Sequence, residues 1–484
     1  MSIDRWLKSP FPSHWWHVGF IVLVAVLVDP FGVNAATSRY SQDVALRLLS
    51  PFYASIGDAR RRKAPITVVL IDDQTIENSV DQRFPLRYTD SFDIIHAVMC
   101  GRPKAVFVDL LFRWRHDNTP HDFKRLVELL SPNDEGWYRN ECGDKPPVYV
   151  ADMLDQPAFR IGSQWDDSTG VIHSDLRDAG VQRLAVNWHG PSGTYPLWLR
   201  ATETAGNWAP SQHDEGVASP ALYLYAKYRG LDIAQLTGFG VDRSMTVAWG
   251  LFPATPPAGA ESGYAERTTL PQMPLSCSAR FAALWGLVVR GVSERLGERL
   301  DPSNVEALTR TFHTYHISAA PLVGNPFDGA DREGLRRALE GRIVLIGNNF
   351  AGSGDQHQSP VHGTVPGVIL HAMALDNLFR FDGRPWLEAS PILDTDCPLP
   401  RWDTIATIAL LVSLGFLHAR AIREGWSLVR ELSLAVVLTV GSAVILAFVF
   451  RWPPINWLGV LSLFLVVTTW WRMAHHEERE DRLS

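Results

Sequence analysis

The pattern of apolar and polar positions separates short buried-strand runs from long membrane-like segments. Wholly apolar runs rich in β-branched residues recur at Ile66–Ile71, Ala105–Val108 and Ile343–Ile346, each bounded by turn formers or acids. Runs this short, without polar alternation, predict strands buried on both faces. The longest informative stretch is Gly341–Phe379, GRIVLIGNNFAGSGDQHQSPVHGTVPGVILHAMALDNLF. Its apolar run stops at Gly347, and a Gly/Ser/Asp/His-rich loop without hydrophobic period comes next. Pro366 and Gly367 close the loop, and Val368–Phe379 has helical spacing. Strand, loop and helix in that order form the unit from which parallel α/β sheets are built. A second such unit joins the first two runs: Ser91–Cys100 predicts a helix and Gly101–Lys104 a turn. Val148–Ala151 and Arg183–Val186 predict further strands, and Ser219–Tyr228 a helix with a tyrosine stripe. Phe252–Pro274 carries prolines and glycines that regular elements do not tolerate.

The longer apolar segments predict membrane crossings. Residues 14–33 form the first, preceded by Arg5 and Lys8 and opened by Trp15 and Trp16. A basic flank and an interfacial aromatic pair suit a retained helix entering from the inside. The rival is a cleaved leader, since Val33-Asn34-Ala35 resembles a small-residue cleavage site; either one exports the large central region of the chain. Between Ala36 and Trp386 no segment is apolar enough to span. Three more crossings are expected at 404–421, 431–450 and 454–471, the first short enough to need snorkelling by Arg420. Arg420, Arg423 and Arg430 between the first two of these place that linker in the cytoplasm, with Arg401 and Arg451 against the trend. The expectation is thus a cytoplasmic N-terminus (1–13), four transmembrane helices, an extracytoplasmic domain (36–390) and a cytoplasmic tail (472–484). The fold class is α/β: a central, mostly parallel sheet flanked by helices, plus one N-terminal and three C-terminal membrane helices. That topology places the large central domain outside the cytoplasm; the resemblance set out next implies the inner membrane of a bacterium, with the domain in the periplasm.

Several of these pieces resemble a known family. VVLIDDQTI, FPLRYTDSFDIIHAV, AVFVDLLF, GRIVLIGNNFAGSGDQ, SPV and VPGVILHAMALDNLF, in this order, are similar to the type-2 CHASE domain. The resemblance implies an extracytoplasmic sensory module of bacterial kinases and cyclases. Phe84 and Leu86 stand where the family usually has tryptophans, and residues 115 to 300 match weakly. The family usually carries an output domain after its last helix. The short tail here cannot bury a core, so output is expected through the helices or a separate signalling protein. Because the usual outputs are dimeric, the resemblance also implies a homodimer. Gly441-Ser442-Ala443 offers a small-residue patch for helix contact.

Composition narrows the chemistry. The 484 residues carry a net charge of -7, which argues against a nucleic-acid-binding surface. The four cysteines, Cys100, Cys142, Cys277 and Cys397, lack CxxC spacing, so structural zinc is not expected. Export allows a disulfide; Cys142–Cys277 is one pairing among several, and unpaired thiols are the alternative. The basic cluster Arg60–Lys63 reads as a partner or lipid contact or, more simply, a solvated face.

Ligands of open parallel sheets sit beyond the carboxyl ends of the strands. Three predicted strands end in polar groups: Asp72 and Asp73; Asp109; and Asn348, with Asp355 beyond it. If those strands are neighbours, the carboxylates converge and need a cation, basic neighbours or raised pKa values. Arg87 and His371 are the candidates for compensation. The predicted ligand site is therefore Asp72, Asp73, Arg87, Asp109, Asn348, Asp355 and His371. It would take a small molecule or a hard divalent cation, calcium or magnesium, with no other cofactor. The plainer alternative is capping: Asp73 for a helix starting at Thr75, Asp355 for its own loop, and His371 simply packed. His313 and His316 lack a third ligand at metal spacing and read as structural. Twin aspartates could hold a metal for phosphoryl hydrolysis, but no nucleophile or phosphate-loop motif accompanies them, so no enzyme activity is expected. The expected role is a membrane-embedded sensor that passes its signal to a partner. The alternative is an envelope scaffold, for which Trp165, Trp188, Trp198 and Trp208 would supply contact surface.

Overall fold

A computed structural model describes residues 33–55, 65–112, 119–133, 136–153, 173–186, 193–200, 216–233, 236, 244–254, 257, 280–287, 311–324, 330–350, 352–387, 402–448 and 456–481. The first expected membrane helix, the Arg60–Lys63 cluster, Trp165, Trp188, Trp208, Cys277 and Cys397 lie outside the described residues. The chain forms two compact units, Leu46–Pro385 and a second made of Met1–Ala45 with Trp386–Ser484.

In chain order the helices are α1 (Val33–Leu49), α2 (Asp73–Asn78), α3 (Tyr88–Cys100), α4 (Pro120–Leu130), α5 (Trp137–Cys142), α6 (Ser174–Asp178), α7 (Pro220–Arg229), α8 (Ala330–Leu339) and α9 (Gly367–Arg380). The strands are β1 (Ile66–Asp72), β2 (Ala105–Asp109), β3 (Val148–Asp152), β4 (Gln182–Ala185), β5 (Thr194–Pro196), β6 (Trp198–Arg200), β7 (Gly216–Ala218), β8 (Ser244–Thr246), β9 (His316–Ser318), β10 (Ile343–Asn349), β11 (Gln356–Ser359) and β12 (Gly363–Pro366). Six strands make one sheet in the order β4-β3-β2-β10-β1-β9, and its ladders are parallel. The three predicted strands β1, β2 and β10 are therefore neighbours, with β10 inserted between the other two.

Paired residues in a parallel ladder point to the same face. Val69, Ile71, Val106, Val108, Val344 and Ile346 point to one face and pack into a single core with α3, α4 and α8. The opposite face carries the row Leu70, Gly347 and Asp109, one residue from each central strand. That face meets α9 and α7: Phe107 touches His371, and Tyr149 touches Tyr223, both edge to face.

All fourteen residues of α9 are buried, so it has no solvent face. Gly347 permits its close approach, because a Cβ there would lie 2.5 Å from the Val368 Cβ. Farther down the helix, Asn377 holds the loop after β8. Its Oδ1 accepts from Ala248 N at 2.9 Å, and its Nδ2 donates to the Ala248 carbonyl at 2.9 Å. One turn on, Arg380 pairs with Asp376 at 3.2 Å and donates to the Tyr53 and Ala54 carbonyls. The Tyr53 hydroxyl donates to Asp376 at 2.5 Å. The C-terminal half of α9 thus fixes the segment Ser50–Ser55 that precedes β1.

The cysteine pairing differs from the Cys142–Cys277 option: a disulfide joins Cys100 at the end of α3 to Cys142 at the end of α5. A cross-link of this span, 42 residues, removes about 4 kcal/mol of chain entropy from the unfolded state. Trp198 is buried at 2% exposure and offers no contact surface.

The second unit contains three long helices, α10 (Trp402–Arg423), α11 (Leu428–Phe448) and α12 (Trp457–Asp481). Leu410, Leu414, Ala435, Val460 and Phe464 form their shared seam. Val412, Phe416, Val437 and Val466 point outward, a distribution that suits lipid rather than water. Of the four expected crossings the first lies outside the described residues. Among the described residues two helical stretches are long and apolar enough to span, Ile405–Arg423 and Leu428–Ala447. The last expected span, 454–471, is described in part and holds a shorter apolar stretch, Trp457–Thr469. At 1.5 Å per residue that covers about 20 Å, short of an approximately 30 Å hydrocarbon core.

The Gly347 contact has a measurable consequence. Gly347→Ala should destabilise the protein by about 1–3 kcal/mol through overpacking. Adding Val368→Ala should recover part of that loss, and thermal unfolding of the purified full-length variants in detergent measures both. Strict additivity of the two substitutions would show that the two positions do not crowd each other.

Candidate functional site

The site is built where the chain leaves the sheet in opposite directions. After β1 and β2 it continues on the α3 side, whereas after β10 it returns as α9 on the other side. In open α/β sheets a switch point of this kind is where ligand crevices form. Asp109, the last residue of β2, lies beside Gly347 and faces α9. Because Gly347 has no side chain, the space above it is left to Asp109 and to residues of the first turns of α9.

His371, on the second turn of α9, places its Nε2 3.8 Å from the Asp109 Oδ2. The Tyr195 hydroxyl lies 2.6 Å from the other ring nitrogen, Nδ1. That hydroxyl also accepts from Ala221 N at 3.4 Å. Nε2 faces Asp109 from beyond hydrogen-bond reach. Among the described residues the buried Asp109 Oδ2 has no hydrogen-bond partner. Asp355 completes the group from the loop before β11. Its carboxylate lies against Gly367, where an added Cβ would collide with Oδ2. A carboxylate at the first residue of a helix is favoured by the helix dipole.

Their environments drive these groups to different charge states. Burial, and next the nearby Asp355 charge, push Asp109 well above the usual carboxylate range. Burial lowers His371 to about 4, against the opposing pull of Asp355. Burial also pushes Asp355 up, but the His357 hydrogen bond, the His371 and His357 charges and the Gly367 N–H outweigh it and hold it low. The surroundings thus bias Asp109 toward its protonated form, His371 toward its neutral form and Asp355 toward its ionised form. They disfavour an ion pair across the 3.8 Å contact.

The other predicted residues lie elsewhere. Asp72 is the N-cap of α2, accepting from Thr75 N at 2.8 Å and from the Thr75 hydroxyl at 2.6 Å. The capping role assigned to Asp73 thus belongs to its neighbour, and Asp73 is an exposed first-turn residue. Arg87 pairs with Asp81 rather than with the strand-end acids. Asn348 follows the strand alternation to the α3 face, away from Asp109, and its Oδ1 is buried without a hydrogen bond. His313 Nδ1 lies 2.5 Å from the Phe252 carbonyl, and His316 Nδ1 lies 3.1 Å from that of Thr314. Among the described residues the His/Cys/Asp/Glu trio whose ligand atoms lie within 4.8 Å of one another is His96, Cys100 and Cys142, away from these residues. Tyr195 was not predicted; β5 lies in the weakly matching middle of the chain, without a local motif.

The parallel α/β unit and the apolar helices are the features to compare with known families. The chain belongs to the CHASE2 domain family, whose model matches residues 20–415. CHASE2 domains are extracytoplasmic sensory domains of membrane proteins. No curated protein and no solved structure matches the chain.

The raised Asp109 pKa carries a sign that can be tested. Above the unfolded value the unfolded chain releases this proton and the folded protein keeps it, so Asp109 costs stability as pH rises toward its folded pKa. Asp109→Asn removes that cost. The variant should gain stability relative to wild type as pH rises from about 5 to 8, by at most about 1.4 kcal/mol per pH unit. Urea unfolding at the two pH values measures it, and a pH-independent difference would contradict the assignment.

Proposed function

We propose that this protein is a membrane-embedded sensor whose extracytoplasmic domain takes a small polar ligand in the Asp109–His371–Tyr195 crevice. The ligand would offer a hydrogen-bond donor, such as a protonated amine, to the unpartnered Asp109 oxygen. A buried acceptor left unpaired costs about 1–3 kcal/mol, and a donor of the right shape recovers it. An amine would also favour ionisation of Asp109 and so bind one charge state better than the other.

The observation that carries this reading is the reach of α9. One helix bears His371 and, about one and a half and two and a half turns later, the Asp376 and Arg380 side chains that hold Ser50–Ser55. A ligand that shifts the first turns of α9 therefore acts on the segment through which the chain enters this unit. Such a ligand changes the equilibrium only by its difference in affinity for the two arrangements. The signal would continue through the membrane helices to a separate partner, with both termini in the cytoplasm and the domain in the periplasm. Pairing of two copies through Gly441-Ser442-Ala443 belongs to the same proposal.

The test uses full-length protein in lipid nanodiscs and a panel of small amines, read by thermal shift. At about a hundredfold excess over Kd a ligand stabilises by about 2.7 kcal/mol. An amine should raise Tm for wild type, with its affinity reduced at least about tenfold in Asp109→Asn and in Tyr195→Phe. Equal binding by wild type and both variants would contradict the site. A partner that crosslinks equally with and without amine would favour the scaffold reading.

A further inference from the structure

A second constellation lies on the opposite face of the sheet, at the disulfide. His96 and Cys100 are four residues apart on α3 and share one face of that helix. α5 brings Cys142 and, beside it, Glu141. The His96 Nε2 lies 3.5 Å from Cys100 Sγ, 3.7 Å from Cys142 Sγ and 3.7 Å from the Glu141 carboxylate. One ring nitrogen therefore faces two sulfurs and a carboxylate oxygen at once.

The three spacings from Nε2 are close to edges of a metal tetrahedron, and the sulfur–sulfur edge, about 3.8 Å at tetrahedral zinc, is reached only after the bond breaks. Zinc holds sulfur at about 2.3 Å and nitrogen at about 2.0 Å, which puts the two ligand atoms about 3.5 Å apart at tetrahedral angles. The nitrogen-to-oxygen edge is about 3.3 Å, a few tenths shorter than the observed contact. Glu141, 46% exposed, is free to make that adjustment by rotation. The imidazole is already oriented: Phe92 stacks on it at 5.3 Å, and Trp137 and Tyr138 close its other sides. The charges around it also suit the purpose. A divalent cation with two thiolates, one carboxylate and a neutral imidazole carries one net negative charge, and Arg125 and Arg332 act on His96 as nearby positive charges.

We infer that His96, Cys100, Glu141 and Cys142 form a redox-gated tetrahedral site for a zinc-class divalent cation, closed while the disulfide stands and open once it is reduced. A dithiol supplies two electrons and becomes a disulfide, as the Cys100–Cys142 bond breaks and leaves two thiols. Each thiol then gives its proton to solvent as its sulfur takes the cation. Both states staple α3 to α5, one through a covalent bond and the other through a metal. The site is separate from the Asp109 crevice and does not depend on the reading of that crevice.

The test titrates full-length protein in detergent with cobalt(II) as a spectroscopic probe, then with zinc. The protein is first reduced with a water-soluble phosphine, desalted anaerobically and checked for retained far-UV circular dichroism. Reduced wild type should bind one equivalent of cobalt, with thiolate-to-cobalt charge-transfer absorption and tetrahedral ligand-field bands, both abolished by zinc. The oxidised form of the same polypeptide should show neither. Cys142→Ser should lose the charge-transfer band, and His96→Ala should weaken binding at least about tenfold. A folded, reduced wild-type protein with titratable thiols and no such spectrum would overturn the site. Unchanged binding in Cys142→Ser would overturn it as well, because the cobalt would then rest on other thiols. The oxidised–reduced comparison uses one polypeptide and stands even if a variant fails to fold.

Discussion

The close packing of α9 on β10 is the constraint on which the rest of this unit depends. It works because Gly347 presents no side chain to Val368, and Gly367 presents none to Asp355. Two missing Cβ atoms thus set the depth at which the helix lies and the place where an acid meets its N-terminus. Without the first, the helix would have to lift from the sheet. Without the second, Asp355 would be forced off the helix end that helps hold it ionised. Burial of all fourteen residues of α9 comes from the same arrangement, since β1 and β10 cover one side and α7 another.

Burial on that scale makes the polar residues of α9 informative. His371, Asp376, Asn377 and Arg380 have all left water, and most of their polar atoms are satisfied within the fold. Asn377 and the Asp376–Arg380–Tyr53 group are networks of the kind that specify a unique packing when complete. The Asp109–His371 end is different, because one carboxyl oxygen there has no partner. That oxygen is the opening on which the proposed ligand site rests. Removing the acid should stabilise the protein, the trade-off expected where a site is retained for function rather than for stability.

Much of the architecture was legible because it rests on short-range pattern. The apolar runs at Ile66, Ala105 and Ile343 are strands, and the Gly/Ser/Asp/His loop does lead into a fully buried helix. The adjacency of β1, β10 and β2 could stand only as a condition at the level of sequence, and it holds. Asp109, Asp355 and His371 come together because strand ends and helix starts converge at a switch point, which a sequence can suggest. What was not legible depended on three dimensions. Asn348 fails because alternation carries it to the other face, and Asp72 fails because Thr75 is close enough to engage it as a cap. Tyr195 arrives from a three-residue strand with no local signature. The Cys100–Cys142 bridge joins two helix ends whose proximity no spacing rule reveals.

The central claim is that α9 couples the crevice to the segment preceding β1. The most direct test is amide hydrogen exchange of the full-length protein in nanodiscs, comparing wild type with Asp109→Asn at about pH 8. Removing the buried acid should change protection at the start of α9 and also across Ser50–Ser55 and the Ala248 loop, which touch only the far half of the helix. A change confined to residues around 109, 355 and 371, with Ser50–Ser55 unaltered, would contradict the account. The crevice would then be a local site, and α9 would not act as a connecting element.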